Sequence, residues 1–106
     1  MLDSLVNNTT KKLVLSAGTN TIYSIPTSAY TGAFFDYTVI SSTGARAGNV
    51  MSIWSGSTAQ YTDVATNDIG STTDVTFSVS VSGNYAVFSS SATTANWTLK
   101  TIVRSI

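Results

Sequence analysis

The stretch VTFSVSVSGNYAVFSSS, residues 75–91, decides the fold class. Val75, Phe77, Val79 and Val81 recur at every second position, with Thr76, Ser78 and Ser80 between them. A period of two with one apolar and one polar side is a strand lying on a core. The residues SGN at 82–84 then reverse the chain. Gly83 or Asn84 supplies the positive φ that a tight hairpin needs, and YAVFSSS returns as the partner strand.

The same reading extends outward in both directions. KKLVLS (11–16) ends in a turn at Ala17 and Gly18. NTIYSI (20–25) is closed by Pro26, the only proline. AFFDYTVIS (33–41) runs into the turn STG, RAGNVMSIW (46–54) into the turn SGS, and AQYTDV (59–64) into the polar loop ATNDIGSTTD (65–74). The last strand is WTLKTIVRSI (97–106). Thr, Val, Ile, Tyr and Phe dominate, and no segment has helical periodicity. Eight short strands at this spacing predict an all-β fold: an antiparallel sandwich or jelly roll, with a small barrel as the alternative. Residues 1–106 are read as one domain without internal repeat or linker.

Composition removes several kinds of chemistry. The chain has no cysteine, histidine or glutamate. Disulfides, thiolate metal sites and the usual general base near neutrality are therefore excluded. The acids are Asp3, Asp36, Asp63, Asp68 and Asp74, and the bases Lys11, Lys12, Arg46, Lys100 and Arg104. Net charge is zero, so nothing points to nucleic acid as a partner. The charged fraction is 9%, against about 25% in an average globular protein. Ser and Thr fill the gap. So little charge on so small a domain protects it poorly against self-association, which implies a surface covered by partners. The alternative is a Ser/Thr-coated β protein that is soluble as it stands.

The N-terminal residues MLDSLVNNTTKKLVL lack the apolar core of a secretory signal, and no run has the length of a helical membrane span. The sequons at Asn7, Asn8 and Asn96 are therefore read as chance in a chain rich in Asn, Ser and Thr. Met1 is read as the start of a whole small gene product.

Two strands are apolar on both faces. Phe35, Tyr37 and Val39 lie on one side of AFFDYTVI, with Phe34, Asp36, Thr38 and Ile40 on the other. In WTLKTIVRSI, Trp97, Leu99 and Val103 oppose Lys100, Ile102, Arg104 and Ile106. Strands apolar on both faces are covered on both. With no helix to cover the second face, another subunit is the expected cover, and a tightly rolled barrel end the alternative. Phe34, Asp36, Arg46, Ile102, Arg104 and Ile106 are the candidate interface residues. Asp36 and Arg46 flank one hairpin turn, and charges set in apolar surroundings are kept when paired. Asp36 is expected to meet Arg46 or Arg104 across a subunit seam. The alternative is a pair of exposed charges that blunt a sheet edge.

Catalysis finds no support in these residues. Serine chemistry lacks its histidine. Asp63, Asp68 and Asp74 cluster near one loop, where a carboxylate pair or a calcium site is conceivable. Their spacing matches neither pattern, and aspartate is an ordinary turn residue. Gly44 and Gly48 in GARAG are followed by no lysine and open no helix, so they form no phosphate loop. No metal and no cofactor is expected.

The segments GAFFDYTV, GARAGNVMSIW, DIGSTTDVTFSVSVSG and WTLKTIVRSI, in that order, resemble a small β domain of tailed-bacteriophage structural proteins. The resemblance covers residues 32–106. Residues 1–30 fall outside it and are read as an added strand pair or an arm that grips a neighbour. The resemblance implies a non-enzymatic virion component, commonly a homotrimer, assembled in the bacterial host cytoplasm beside other capsid or fibre proteins. The lack of cysteine suits that reducing compartment. A short chain without shaft repeats or heptads fits capsid decoration or a head or tail appendage. The alternative is a receptor- or glycan-binding fibre tip. Trp54 and Tyr61, with Trp97, are then the rings that stack on a host surface sugar, unless the tryptophans are core or interface anchors. Neither reading calls for a membrane partner.

Overall fold

The computed structural model describes residues 9–106. Met1, Asp3 and the sequons at Asn7 and Asn8 lie outside the described residues. Nine strands follow in order: β1 (Thr9–Leu15), β2 (Gly18–Pro26), β3 (Gly32–Ile40), β4 (Gly44–Ser55), β5 (Thr58–Ala65), β6 (Ile69–Gly70), β7 (Val75–Ser82), β8 (Tyr85–Ala92) and β9 (Trp97–Ser105). They form two antiparallel sheets packed as a sandwich. The larger has the order β1-β9-β3-β4-β5, with β6 beside β4; the smaller is β2-β8-β7.

The eight strands read from the sequence are all present, shifted by a residue or two at their ends. The ninth, β6, is a two-residue strand inside the polar loop. Gly83 takes φ +60° in the β7–β8 turn and Gly56 φ +61° in the β4–β5 turn, the left-handed conformation these tight hairpins need. The first two strands do not pair with each other. β1 joins the larger sheet against β9, and β2 joins the smaller against β8.

The core lies between the sheets. Its inner rows are Phe35, Tyr37 and Val39 from β3, Val50 and Trp54 from β4, Phe77 and Val79 from β7, Phe88 from β8, and Trp97, Leu99 and Val103 from β9. Five aromatic rings make a ladder through it. Tyr23 stacks on Phe35 at 6.0 Å, Phe35 on Phe88 at 4.0 Å, Phe88 on Phe77 at 5.5 Å, and Phe77 tilts against Tyr37 at 4.4 Å. These separations suit the offset and tilted geometries that aromatic quadrupoles favour.

A cation closes each end of the ladder. Lys11 Nζ lies 5.0 Å from the centre of the Tyr23 ring and donates to the Ile22 carbonyl at 2.6 Å, tying β1 to β2 across the layers. At the other end the Arg46 guanidinium lies 5.6 Å from the Tyr37 ring and 5.8 Å from Phe77.

Candidate functional site

Two features stand out from the packed core: a polar cluster at the Arg46 end of the ladder, and the outer face of the larger sheet.

The cluster exists because of the β3–β4 register, which sets Val39 opposite Arg46 and Tyr37 opposite Gly48. Both pairs face inward. Arg46 Nε donates to the Tyr37 hydroxyl at 3.1 Å. One terminal nitrogen donates to the carbonyl and hydroxyl of Thr72 at 3.2 and 3.0 Å, and the other to the Val75 carbonyl at 3.1 Å. The Tyr37 hydroxyl in turn donates to Asp63 on β5, 2.8 Å from Oδ1 and 3.0 Å from Oδ2. Gly48 leaves room for that reach. A Cβ there would stand 2.7 Å from the Tyr37 hydroxyl and 2.8 Å from the Val64 carbonyl. Burial, with the Asp63 hydrogen bond second, pushes the Tyr37 phenol up to about 12. Such a tyrosine is protonated at any physiological pH, and its hydroxyl, between Arg46 and Asp63, is part of a staple between the two sheets.

The expected contact between Asp36 and Arg46 is not formed within the chain. Asp36 sits on the outer row opposite Asn49 and accepts a hydrogen bond from Asn49 Nδ2 at 2.7 Å, while Arg46 points into the sandwich. One residue of parity separates the two faces of a strand. Arg104 also spends its charge locally, 4.8 Å over the Phe34 ring that it faces across β9 and β3.

The three loop aspartates are held apart, each by its own partner. Asp63 serves Tyr37. Asp68 accepts from the Thr72 backbone N–H at 3.2 Å, and hydrogen bonding from Thr72 holds its carboxyl below the ordinary range. Asp74 takes the hydroxyls of Thr93 and Thr94 and the indole N–H of Trp97, and the two threonines hold its carboxyl below the ordinary range. Among the described residues, no three such side chains come together as a metal site.

Trp54 is not available to a sugar. It is 5% exposed, and its indole N–H donates to the Tyr30 carbonyl at 2.8 Å. It fills the inner row of β4, two residues beyond Ser52. Trp97 is also buried. Tyr61 remains open at 44% exposure on the free-edge strand β5.

The second feature is larger. Phe34, Asp36, Ile102, Arg104 and Ile106 all stand on the outer face of the six-stranded sheet; of the candidate interface residues, Arg46 alone points inward. Among the described residues, eight of the ten large apolar side chains left exposed lie on this face: Val14, Ile40, Met51, Ile53, Val64, Ile69, Ile102 and Ile106, each 41–75% exposed. The register divides them: Ile40 and Ile69 lie together toward one end, Met51 and Ile53 beside Phe34 toward the other, and Thr38, Lys100, Asp36 and Asn49 stand between. The face is also relieved. Ile40 and Ile69 flank a hollow floored by Ala45 and Ala47, and Phe34, Met51, Ile53 and Gln60 line another. Val14, Val64 and Ile69 were not singled out from the sequence. The first falls in KKLVLS, which reads as apolar on consecutive positions, and the others in or beside a loop.

No family model and no curated protein matches the chain. Among solved structures, the tailspike protein of Acinetobacter phage vB_ApiP_P1 is similar, with a TM-score of 0.53 and 14% identity over 94% of this chain. The chain spans 22% of the length of that tailspike. At this identity the likeness is one of fold: a β-sandwich of this kind occurs as one part of a phage tailspike.

Proposed function

We propose that this chain is a non-enzymatic structural component of a bacteriophage virion, an assembly domain of a tail appendage whose copies associate as a homotrimer. The observation that carries the reading is the outer face of the six-stranded sheet. A monomer would leave its apolar groups in water, whereas a domain built for assembly buries them. The fold likeness to part of a tailspike, together with the ordered series of segments that resembles phage β domains, favours a tail appendage over capsid decoration. The polar cluster supports the non-enzymatic side: its arginine, tyrosine and aspartates are engaged with one another and with backbone carbonyls. Host glycan binding is weakened as an alternative, because Trp54 and Trp97 lie in the core and only Tyr61 is open.

The test is to label purified particles of the phage that encodes the chain with an antibody against it. Gold on the tail in electron micrographs is the expected result. Absence of the chain from purified particles overturns the reading, and gold on the head alone redirects it to capsid decoration.

A further inference from the structure

The larger sheet ends at β5, and the backbone there is open along one side. In the β4–β5 hairpin Ser55 stands opposite Thr58 and Gly48 opposite Ala65. One step further on, the Thr66 N–H donates to the Ala47 carbonyl at 2.8 Å. Opposed residues in an antiparallel pair alternate between those that exchange hydrogen bonds and those that do not. Counting back by twos from Thr66, the residues bonded to β4 are Val64, Thr62, Gln60 and Thr58. Ala59, Tyr61, Asp63 and Ala65 therefore turn their N–H and C=O groups away from β4. Among the described residues no strand pairs with that side, and β7 meets β5 across the layers without joining its sheet. β5 is exposed at every residue except the half-buried Ala59.

The other edges are guarded in the ways that block strand addition. β1 carries Lys11 and Lys12. β2 has a register shift between Thr21 and Tyr23 and ends on Pro26. The inner row of β7 is buried at Val75, Phe77 and Val79. β5 has neither a proline nor a lysine. A row of open N–H and C=O groups at strand spacing is complementary to an extended peptide backbone.

Charge selects the source of that backbone. Residues 58–75 hold Asp63, Asp68 and Asp74 and no lysine or arginine. Arg46 lies inside the sandwich, with its donors on Tyr37, Thr72 and Val75. Asp63 is exposed in the middle of the open row, and its carboxylate has acceptor sites left beyond the Tyr37 hydroxyl. A second β5 would add another aspartate and no base, so the edge disfavours a second copy and favours a basic strand.

We propose that the β5 edge takes an extended, basic peptide segment of a different chain as an added strand, bonded to Ala59, Tyr61, Asp63 and Ala65, with a lysine or arginine set against Asp63. The site lies on the rim of the sheet. It is separate from the outer face and does not depend on copies associating there.

The test uses the full chain and two synthetic peptides, one of alternating valine and lysine and one with glutamate in place of lysine. Amide exchange is read by NMR. In the free chain the amides of Ala59, Tyr61, Asp63 and Ala65 are expected to exchange freely, and those of Gln60, Thr62 and Val64 slowly. The lysine peptide is expected to slow the first set. It is also expected to bind about fivefold tighter than the glutamate peptide, the difference between an opposite and a like charge facing Asp63. Tyr61→Pro removes one outward N–H and leaves the ladder with β4 whole. Folded by circular dichroism, this variant is expected to lose the peptide; should it unfold, Ala65→Pro makes the same kind of cut. The proposal is overturned if the lysine peptide leaves the four amides unchanged, if a folded proline variant binds as the wild type does, or if the glutamate peptide binds equally well. Protection of the four amides without any peptide would place a second copy on the edge and overturn it as well.

Discussion

Arg46→Ala is the substitution through which the cross-layer staple is most directly measured. The guanidinium makes four hydrogen bonds, to Tyr37, to the carbonyl and hydroxyl of Thr72, and to the Val75 carbonyl, all between 3.0 and 3.2 Å. It also covers two rings. Thr72 is fully buried, so removing the donor leaves a hydroxyl and carbonyls that water reaches poorly. At about 1 kcal/mol net for each bond, and ~0.5–1 kcal/mol for the ring contacts, the gross loss is about 5 kcal/mol. Arg46 is half-buried, which admits water to part of the gap and reduces the expected cost to about 3 kcal/mol. For a domain of this size that lowers the melting temperature by roughly 12–24 °C. Arg46→Lys is expected to recover about a third of the loss, since an ammonium keeps a bond or two but loses the planar fork and the stacking. Urea and thermal melts at one fixed protein concentration give both numbers, because assembly makes the midpoints concentration-dependent. A loss under about 1 kcal/mol, the range of an exposed surface charge, refutes the staple.

Further expectations follow from the same cluster and its neighbour. Gly48→Ala places a methyl against the Tyr37 hydroxyl and the Val64 carbonyl; a cost of about 1–3 kcal/mol is expected in urea melts, and a neutral result would mean β5 yields freely there. Tyr37 is raised from 10.0 to about 12, so an unfolded chain ionises this phenol first. Stability is therefore lost as pH rises from 10 towards 12, and Tyr37→Phe flattens that alkaline limb; ultraviolet titration showing every tyrosine ionising near 10 would contradict the assignment. Asp74 is lowered from 3.8 by its threonine partners, so its contribution is full above the ordinary carboxylate range and disappears as pH falls through the lowered value. Asp74→Asn is expected to shrink the acid limb of the pH–stability curve, and an unchanged limb would remove the carboxylate from the account.

The strands were legible because their side-chain period is two and their turns carry Gly and Asn; VTFSVSVS and its partner YAVFSSS show both. The two-faced apolarity of β3 and β9 was equally plain, and it led directly to Phe34, Ile102, Arg104 and Ile106 on one surface. Arg46 was misplaced for a physical reason. In GARAGNVMSIW, Val50 and Trp54 lie on one face and Met51 and Ile53 on the other, so the strand's parity is ambiguous. Only the register with β3 resolves it. Trp54 was a candidate sugar platform for the same reason. Counting back from Tyr37 through its opposite number Gly48 would have turned both residues inward. Strand order was not legible at all, since it depends on long-range pairing such as β3 with β9 that local pattern does not encode. The Lys12–Lys100 pair was hidden with it, because the two become neighbours only once β1 lies beside β9.

The most direct measurement is the solution mass of the wild-type chain by light scattering over a dilution series. A mass of three chains of 11.1 kDa that persists on dilution is the expected result. A single-chain mass at every concentration would contradict the assembly of copies through the outer face.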